Sequence, residues 1–160
     1  MTNDIIDLAT RAGQALKAKD LLLATAESCT GGGVAQAITA IAGSSDWFDC
    51  GFVTYSNASK AALLDVPAAL IDRVGAVSEE VAAAMAVGAL ANSNAHVALS
   101  TTGIAGPTGA VPGKPVGTVW FAWAMGGTTR TERQVFVGDR QAVREQSVVH
   151  SLQGLLRLIQ

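Results

Sequence analysis

The segment LLLATAESCTGGGVAQAITAIA, residues 21–42, decides how this chain of 160 residues folds. It begins with a short apolar run, passes through three consecutive glycines, Gly31–Gly33, and ends in apolar residues at helical spacing. A short apolar run bounded by turns is typical of a buried strand. The segment therefore predicts a strand over 20–26, a tight turn and a helix over 30–42, which together form the repeating unit of an α/β fold.

The same two patterns alternate along the rest of the chain. They predict helices over 3–18, 57–65, 77–93 and 139–158, strands over 50–56, 96–103, 116–124 and 128–138, and an irregular loop over 104–115. The early strands alternate with helices, which favours parallel pairing, whereas the last two strands form a hairpin. We predict a three-layer α/β/α sandwich with a mixed, mostly five-stranded sheet, as one domain over residues 1–160.

The composition is that of a globular domain without a bulk attraction for polyanions. Apolar residues make up 49% and charged residues 15% of the chain, and the formal net charge is −2. A sizeable core can therefore form, and we expect no nucleic-acid partner and no membrane surface as partner. No apolar run approaches the roughly 20 residues of a membrane span, and the N-terminus lacks a signal pattern. We expect a cytoplasmic protein.

Three predicted strands end in polar turns that contain chemically capable side chains. The turns are TAESCTGGG at 25–33, TYSNASK at 54–60 and STTGIAGPTG at 100–109. The carboxyl ends of parallel strands meet at one edge of a sheet, and ligands of α/β proteins collect there. The sequence therefore predicts a ligand site built from these three turns.

The first turn offers a hydroxyl above the start of a helix. Backbone N–H groups of Thr30, Gly31 and Gly32 can bind an oxyanion or a phosphate there, and Ser28 is a candidate nucleophile held over them. The alternative is structural: Ser28 or Thr30 only caps the helix, and the glycines allow tight packing. The turn is neither a Walker A loop nor a G-x-S-x-G elbow, so these residues alone leave the reaction undecided.

The second turn supplies a candidate base for that serine. With Asn57 as N-cap, Lys60 is the third helical residue, where the helix dipole disfavours a cation and makes the neutral amine easier to reach. A neutral lysine can accept the proton of Ser28, and Tyr55 can orient the lysine or relay the proton. The alternatives are a solvated surface lysine and a tyrosine that packs on the sheet.

The third turn and the start of the last helix are suited to an anion. Gly103 and Gly106 remove side chains that would block a ligand, and Thr102 offers a hydroxyl. Arg140 and Arg144 lie one turn apart on the same helix face, and arginine binds phosphate through two parallel hydrogen bonds. A structural loop and a solvated ion pair are the alternatives.

The cysteines and histidines do not point to a second kind of site. Cys29 and Cys50 do not form a disulfide framework, and neither cysteines nor histidines have metal-ligand spacing, so we expect no metal. His96 and His150 fall away from the predicted site, which argues against a Ser-His-Asp triad. Cys29 is a rival nucleophile, because thiols are intrinsically reactive, but the residue next to Ser28 in a turn is expected to point elsewhere.

Six motifs occur in order along the chain: TAESCTGG at 25–32, AGSSDWFDCGFVTYSN..K at 42–60, GAVSEEV at 75–81, TGIAGPTG at 102–109, KPVGTVW at 114–120 and GDR..VR at 138–144. In this combination the sequence resembles the CinA C-terminal domain family over about residues 4–155. One departure is Ala110, where many relatives have a second glycine.

The resemblance implies an α/β/α fold and, because the family includes such an enzyme, hydrolysis of the carboxamide of nicotinamide mononucleotide in pyridine nucleotide recycling. It implies an acyl-enzyme mechanism in which Ser28 attacks, Lys60 accepts the proton and Tyr55 positions Lys60. No cofactor is expected, since water is the only co-reactant. The residues expected to bind substrate are Thr30, Gly31, Gly32, Asn57, Thr102, Gly103, Gly106 and Arg140.

Two other functions stay open at this point. One is a nucleotide-binding or regulatory module that has lost turnover, and the other is an amidase for a different small amide. A homodimer is expected only from the general frequency of symmetric dimers.

Overall fold

The computed structural model describes residues 1–160 as six α-helices and five strands. The helices are α1 (Asn3–Ala18), α2 (Gly33–Thr39), α3 (Asn57–Leu64), α4 (Ala68–Val74), α5 (Glu79–Ala91) and α6 (Arg140–Ile159). The strands are β1 (Leu23–Glu27), β2 (Phe48–Val53), β3 (Val97–Gly103), β4 (Thr118–Met125) and β5 (Thr128–Val135). None of the helices is both long and apolar enough to cross a membrane.

The strands form one mixed sheet in the order β2-β1-β3-β4-β5. The pairs β1–β2 and β1–β3 are parallel and β4–β5 is an antiparallel hairpin, as predicted. The pair β3–β4 is also antiparallel. At the carboxyl end of β1, Glu27 pairs with Val53 on one side and with Thr101 on the other. The residues that follow these three strand ends are thereby brought to one edge of the sheet.

Helices cover both faces of the sheet and make the predicted three layers. Helices α1, α2 and α6 enclose the larger core on one face, where Leu99, Phe121 and Trp123 of the sheet are buried. Helices α3, α4 and α5 enclose a smaller core on the other face, against the alanines of β1 and β3. Small sheet residues on this second face let the helices lie close to the strands.

Two local predictions are wrong. The segment after Pro67 is predicted as a connection, yet it forms α4, because Pro67 is tolerated at the start of a helix and Ile71 buries its side chain in the core. The N-cap of α3 is Ser56 rather than Asn57, and its hydroxyl accepts from the backbone N–H of Ser59. Serine and asparagine are both favoured N-cap residues, and in the structure Ser56 occupies the cap position.

Packing between α3 and α5 gives a first prediction. A methyl group at Gly88 would overlap the carbonyl oxygen of Leu64. Backbone atoms cannot rotate away, so we expect Gly88→Ala to lower the free energy of unfolding by about 1–3 kcal/mol, in spite of alanine's better helix propensity. Chemical denaturation measures the change, with Val87→Ala at the exposed neighbouring position as control. A Gly88→Ala protein as stable as wild type would contradict the close approach.

Candidate active site

The three polar turns line a cavity of about 310 Å³ at the carboxyl ends of the parallel strands. The turn after β1 contributes Ser28, the first turns of α3 contribute Lys60, and the end of β3 with the loop after it contributes residues 102–106, 108 and 109. Arg140, at the start of α6, completes the lining. Lys60 and Arg140 are the charged residues of this lining, and no carboxylate is among its members. An anionic ligand is therefore favoured over a cationic one.

The centre of the cavity is a contact between a hydroxyl and an amine. The Lys60 Nζ lies 3.0 Å from the Ser28 Oγ and also donates to two backbone oxygens, at 2.8 Å to Thr54 O and at 3.4 Å to Tyr55 O. Lys60 is 1% exposed and Ser28 is 8% exposed. This is the geometry that an activated serine requires, with nucleophile and base within hydrogen-bond reach.

Burial makes the neutral amine of Lys60 accessible. Desolvation lowers the pKa of Lys60 below its ordinary value of 10.5, because it penalises the charged form. No carboxylate forms an ion pair with this amine. The predicted cause was the helix dipole, with Lys60 third after an Asn57 cap. The observed cap, Ser56, makes Lys60 the fourth helical residue, and the main cause of its lowered pKa is desolvation by burial.

The turn that carries Ser28 is capped by a residue that the sequence argument did not single out. Helix α2 begins only at Gly33, and its N-cap, Gly32, has a φ of 97° and no side-chain cap. The Glu27 carboxylate instead accepts from the backbone N–H groups of Val34 and Ala35, at 2.8 and 3.1 Å. The prediction that Ser28 or Thr30 caps this helix is therefore wrong. A lone carboxylate in an otherwise apolar strand was the signal that could have revealed Glu27.

The predicted oxyanion wall is not where the sequence placed it. Thr30, Gly31 and Gly32 do not line the cavity, and the N–H of Gly31 is already used, because it donates to Ser28 O. The N–H groups of Cys29, Thr30 and Gly32 donate to no backbone oxygen, and of these residues only Cys29 lines the cavity.

The Cys29 thiol itself is poorly suited to attack. Cys29 is 5% exposed, and desolvation raises the pKa of its thiol to about 12. The thiolate is the reactive form of cysteine, so at neutral pH this side chain stays protonated. The geometry favours Ser28 over Cys29 as the nucleophile, as the sequence argument expected.

Tyr55 and Arg140 contact each other at the edge of the cavity. The Arg140 Nη2 donates to the Tyr55 hydroxyl at 3.0 Å, and its Nη1 donates to Gly106 O at 2.9 Å. Tyr55 is 62% exposed, and it reaches Lys60 only through its backbone oxygen. The expectation that the Tyr55 side chain orients Lys60 is therefore corrected, because the phenol belongs with Arg140.

Asn57, Thr102, Gly103 and Gly106 all line the cavity, where the sequence argument placed them. The Thr102 hydroxyl donates to Ala76 O at 2.8 Å, which ties the loop before α5 to β3. Backbone N–H groups at positions 105, 106, 108 and 109 donate to no protein acceptor. Successive free N–H groups in a glycine-bearing loop form a concavity suited to an anion.

Arg144 does not line this cavity, although it shares a helix face with Arg140. Its guanidinium donates to Cys29 O at 3.2 Å and to Thr30 O at 3.3 Å. Arg144 therefore binds the backbone of the turn that contains Ser28, and Arg140 is the arginine that lines the cavity.

The histidines lie away from the cavity. His96 Nδ1 accepts from the backbone N–H of Leu22, before the amino end of β1, and His150 Nε2 lies 2.8 Å from a carboxylate oxygen of Glu132. Neither reaches Ser28, so the geometry does not make a Ser-His-Asp triad. No three His, Cys, Asp or Glu side chains are arranged to hold a metal ion.

The fold is an α/β/α sandwich with a serine and a lysine where its parallel strands end. The chain belongs to the CinA C-terminal domain family, whose model matches residues 5–159. The resemblance seen in the motifs is thus confirmed. The chain is 54% identical to "Nicotinamide-nucleotide amidohydrolase PncC" of Pseudomonas putida, over 96% of each chain. It is 52% identical to the protein of the same name from Escherichia coli K12, over 96% of this chain and 93% of that one.

A solved structure shows the same fold. The competence/damage inducible protein CihA of Agrobacterium tumefaciens superposes with a TM-score of 0.97 at 41% identity. The match covers 100% of this chain and 98% of that one. The predicted fold class is thereby confirmed over the full length.

The burial of Lys60 predicts a pH-dependent stability. Between the lowered pKa of the folded state and 10.5, the unfolded chain binds one proton more than the folded chain at this position. The free energy of unfolding of wild type should therefore rise relative to Lys60→Met as pH increases from the lowered pKa of the folded state towards 10.5, by up to about 1.4 kcal/mol per pH unit.

Chemical denaturation of both proteins at a series of pH values measures this difference. Lys19→Met, at an exposed position, controls for the loss of one lysine. A difference between wild type and Lys60→Met that stays constant with pH would contradict the lowered pKa.

Proposed function

We propose that this protein hydrolyses the carboxamide of nicotinamide mononucleotide to nicotinate mononucleotide and ammonia, through an acyl-enzyme on Ser28. The observation that carries the proposal is the buried Lys60 amine, 3.0 Å from the Ser28 hydroxyl in a cavity that also holds Arg140. The reaction belongs to the recycling of pyridine nucleotides. The expectation of an amidase is confirmed at the level of the class by relatives named amidohydrolases, 52–55% identical over nearly the whole chain.

The hydrogen bonds of Lys60 define how the first step works. A neutral amine has two N–H groups and one lone pair. The carbonyl oxygens of Thr54 and Tyr55 can accept the two hydrogens, which leaves the lone pair for the hydroxyl proton of Ser28. As the proton moves to Lys60, the Ser28 oxygen attacks the amide carbon. The two carbonyl oxygens then stabilise the ammonium that forms.

The later steps return the proton. The C–N bond breaks as Lys60 gives its proton to the leaving nitrogen, which departs as ammonia and leaves an ester on Ser28. A water molecule then gives one proton to Lys60 as its oxygen attacks the ester. Lys60 passes this proton to the Ser28 oxygen as the carboxylic acid leaves, and the acid releases its remaining proton to solvent to become the carboxylate. The Cys29 N–H, which donates to no backbone oxygen, supports the oxyanion of both steps. Water is the only co-reactant, so no cofactor is required.

The charges of the cavity support a phosphorylated substrate. Arg140 and residues 105, 106, 108 and 109, whose backbone N–H groups donate to no backbone oxygen, line the same cavity, and no carboxylate is among the lining residues. A ribose phosphate would bind at this end while the carboxamide reaches Ser28. The homodimer expected from general frequency stays a prediction.

Replacing the nucleophile gives the most direct test. Ser28→Ala should lower the rate of ammonia release from nicotinamide mononucleotide by at least about 1000-fold, because no other group in the cavity is an activated nucleophile. Cys29→Ala, which removes the thiol and keeps the backbone N–H, should stay within several fold of wild type. Near-normal turnover in Ser28→Ala would exclude the proposed mechanism. Tight binding of the nucleotide by wild type without ammonia release would favour a non-catalytic module.

Arg140 gives a test of substrate class. Arg140→Gln should raise the KM for nicotinamide mononucleotide by about 10- to 100-fold, because a charge-assisted contact to phosphate is lost. The KM for the riboside, which lacks the phosphate, should change far less. Arg130→Gln, at an exposed position on β5, is the matched control. An equal rise in KM for both substrates would show that Arg140 does not bind the phosphate. Higher activity on another amide would assign that amide as the substrate.

A further inference from the structure

One fully buried carboxylate takes no part in the proposed chemistry. Glu27, the last residue of β1, is 0% exposed, and no lysine, arginine or histidine forms an ion pair with it. Its Oε1 accepts from the Thr30 hydroxyl at 2.6 Å and from the Val34 N–H at 2.8 Å, and its Oε2 accepts from the Ala35 N–H at 3.1 Å. Three donors converge on one side chain, so this carboxylate is a structural junction rather than a solvated charge.

The contacts of Glu27 join the residue before Ser28 to the helix after it. Glu27 immediately precedes Ser28, whereas Val34 and Ala35 belong to the helix that follows it. The chain between them contains two glycines with positive φ, 59° at Gly31 and 97° at Gly32, and glycine restrains a backbone least of all residues. The carboxylate therefore closes this loop, and it adds to the bond within the turn from the Gly31 N–H to Ser28 O.

A second contact joins the same junction to the neighbouring strand. The Thr30 hydroxyl has one hydrogen, which goes to Glu27, so the Thr101 hydroxyl donates to the Thr30 oxygen across 2.8 Å. Thr101 O also accepts from the backbone N–H of Ser28 at 3.0 Å. Ser28 and Thr30 are thus both hydrogen-bonded to Thr101 of β3.

We propose that Glu27 is a positioning residue that sets the Ser28 hydroxyl against the Lys60 amine. The inference rests on the proposed function, in which Ser28 is the nucleophile. Lys60 is held from the end of β2, because its amine donates to Thr54 O. The Thr54 N–H in turn donates to the Glu27 backbone oxygen, and a change of the Glu27 side chain leaves this bond in place. A shift of residues 28–33 therefore alters the Ser28–Lys60 contact.

The chemistry of the carboxylate suggests a near-isosteric test. In Glu27→Gln one acceptor oxygen becomes an NH₂ group, which cannot accept from any of the three donors. At least one donor then loses its partner or meets another donor, and the turn must shift. In Thr30→Val only the hydroxyl is lost, so this change is the milder of the two and does not depend on Glu27→Gln folding. Thr30→Ser keeps the hydroxyl and serves as the conservative variant.

The kinetic result expected is a loss in kcat without a matching change in KM. Glu27→Gln and Thr30→Val should lower kcat for nicotinamide mononucleotide by about 10- to 100-fold, since misplacement by a fraction of an ångström has effects of this size. KM should change by less than about threefold. Thr30→Ser should recover most of the rate lost in Thr30→Val. Ser100→Ala removes another buried hydroxyl, bonded to Ala82 O on the opposite face, and should lower the melting temperature without lowering kcat.

A second readout does not use the nucleotide at all. Phenylmethanesulfonyl fluoride reacts with an activated serine: the serine oxygen bonds to sulfur, fluoride leaves, and the serine proton passes to the base. Intact-mass measurement should show labelling of Ser28 in folded Glu27→Gln about 10-fold slower than in wild type. Equal labelling rates would overturn the role of Glu27 while leaving the proposed function in place. Absence of labelling at Ser28 in wild type would overturn the nucleophile assignment and this inference with it.

Discussion

The removal of one amine from water is the constraint on which the site depends. A lysine at 1% exposure has lost nearly all of its hydration, and the fold compensates with two carbonyl oxygens and one hydroxyl, not with a carboxylate. A carboxylate partner would have stabilised the ammonium and kept the lysine charged. The absence of an ion pair therefore favours the neutral amine that the proposed mechanism requires.

The sheet meets this requirement through topology. Three parallel strands end together, so the segments after them bring Ser28, Lys60 and the glycine-bearing loop to one cavity. The antiparallel hairpin adds no lining residue, and its role is to cover the third strand and bury the aromatic core beneath α6. This arrangement is typical of α/β proteins, in which the sheet and helices form the scaffold and ligands bind at the carboxyl ends of the strands.

Much of this arrangement could be predicted from the sequence, because it follows from periodicity and from the types of residue at strand ends. The layers, the parallel half of the sheet, and the meeting of Ser28 with Lys60 all followed from such patterns. The partners of individual side chains did not. Tyr55 is five residues before Lys60, yet its hydroxyl pairs with an arginine 85 positions away, and Glu27 caps a helix across two glycines. Such choices depend on three-dimensional distances that spacing along the chain does not contain.

The contacts made by α6 have a consequence for synthesis of the chain. Arg144 reaches back across 115 and 114 residues to the backbone of the nucleophile turn, and Arg140 reaches Tyr55 across 85. The chain emerges from the ribosome with its amino end first, so the serine and the lysine are made long before these arginines. A nascent chain without α6 would keep the contacts of Glu27 and Lys60 and would lack these arginine contacts. The lining of the cavity, which includes Arg140, is therefore complete only once the last helix has been made.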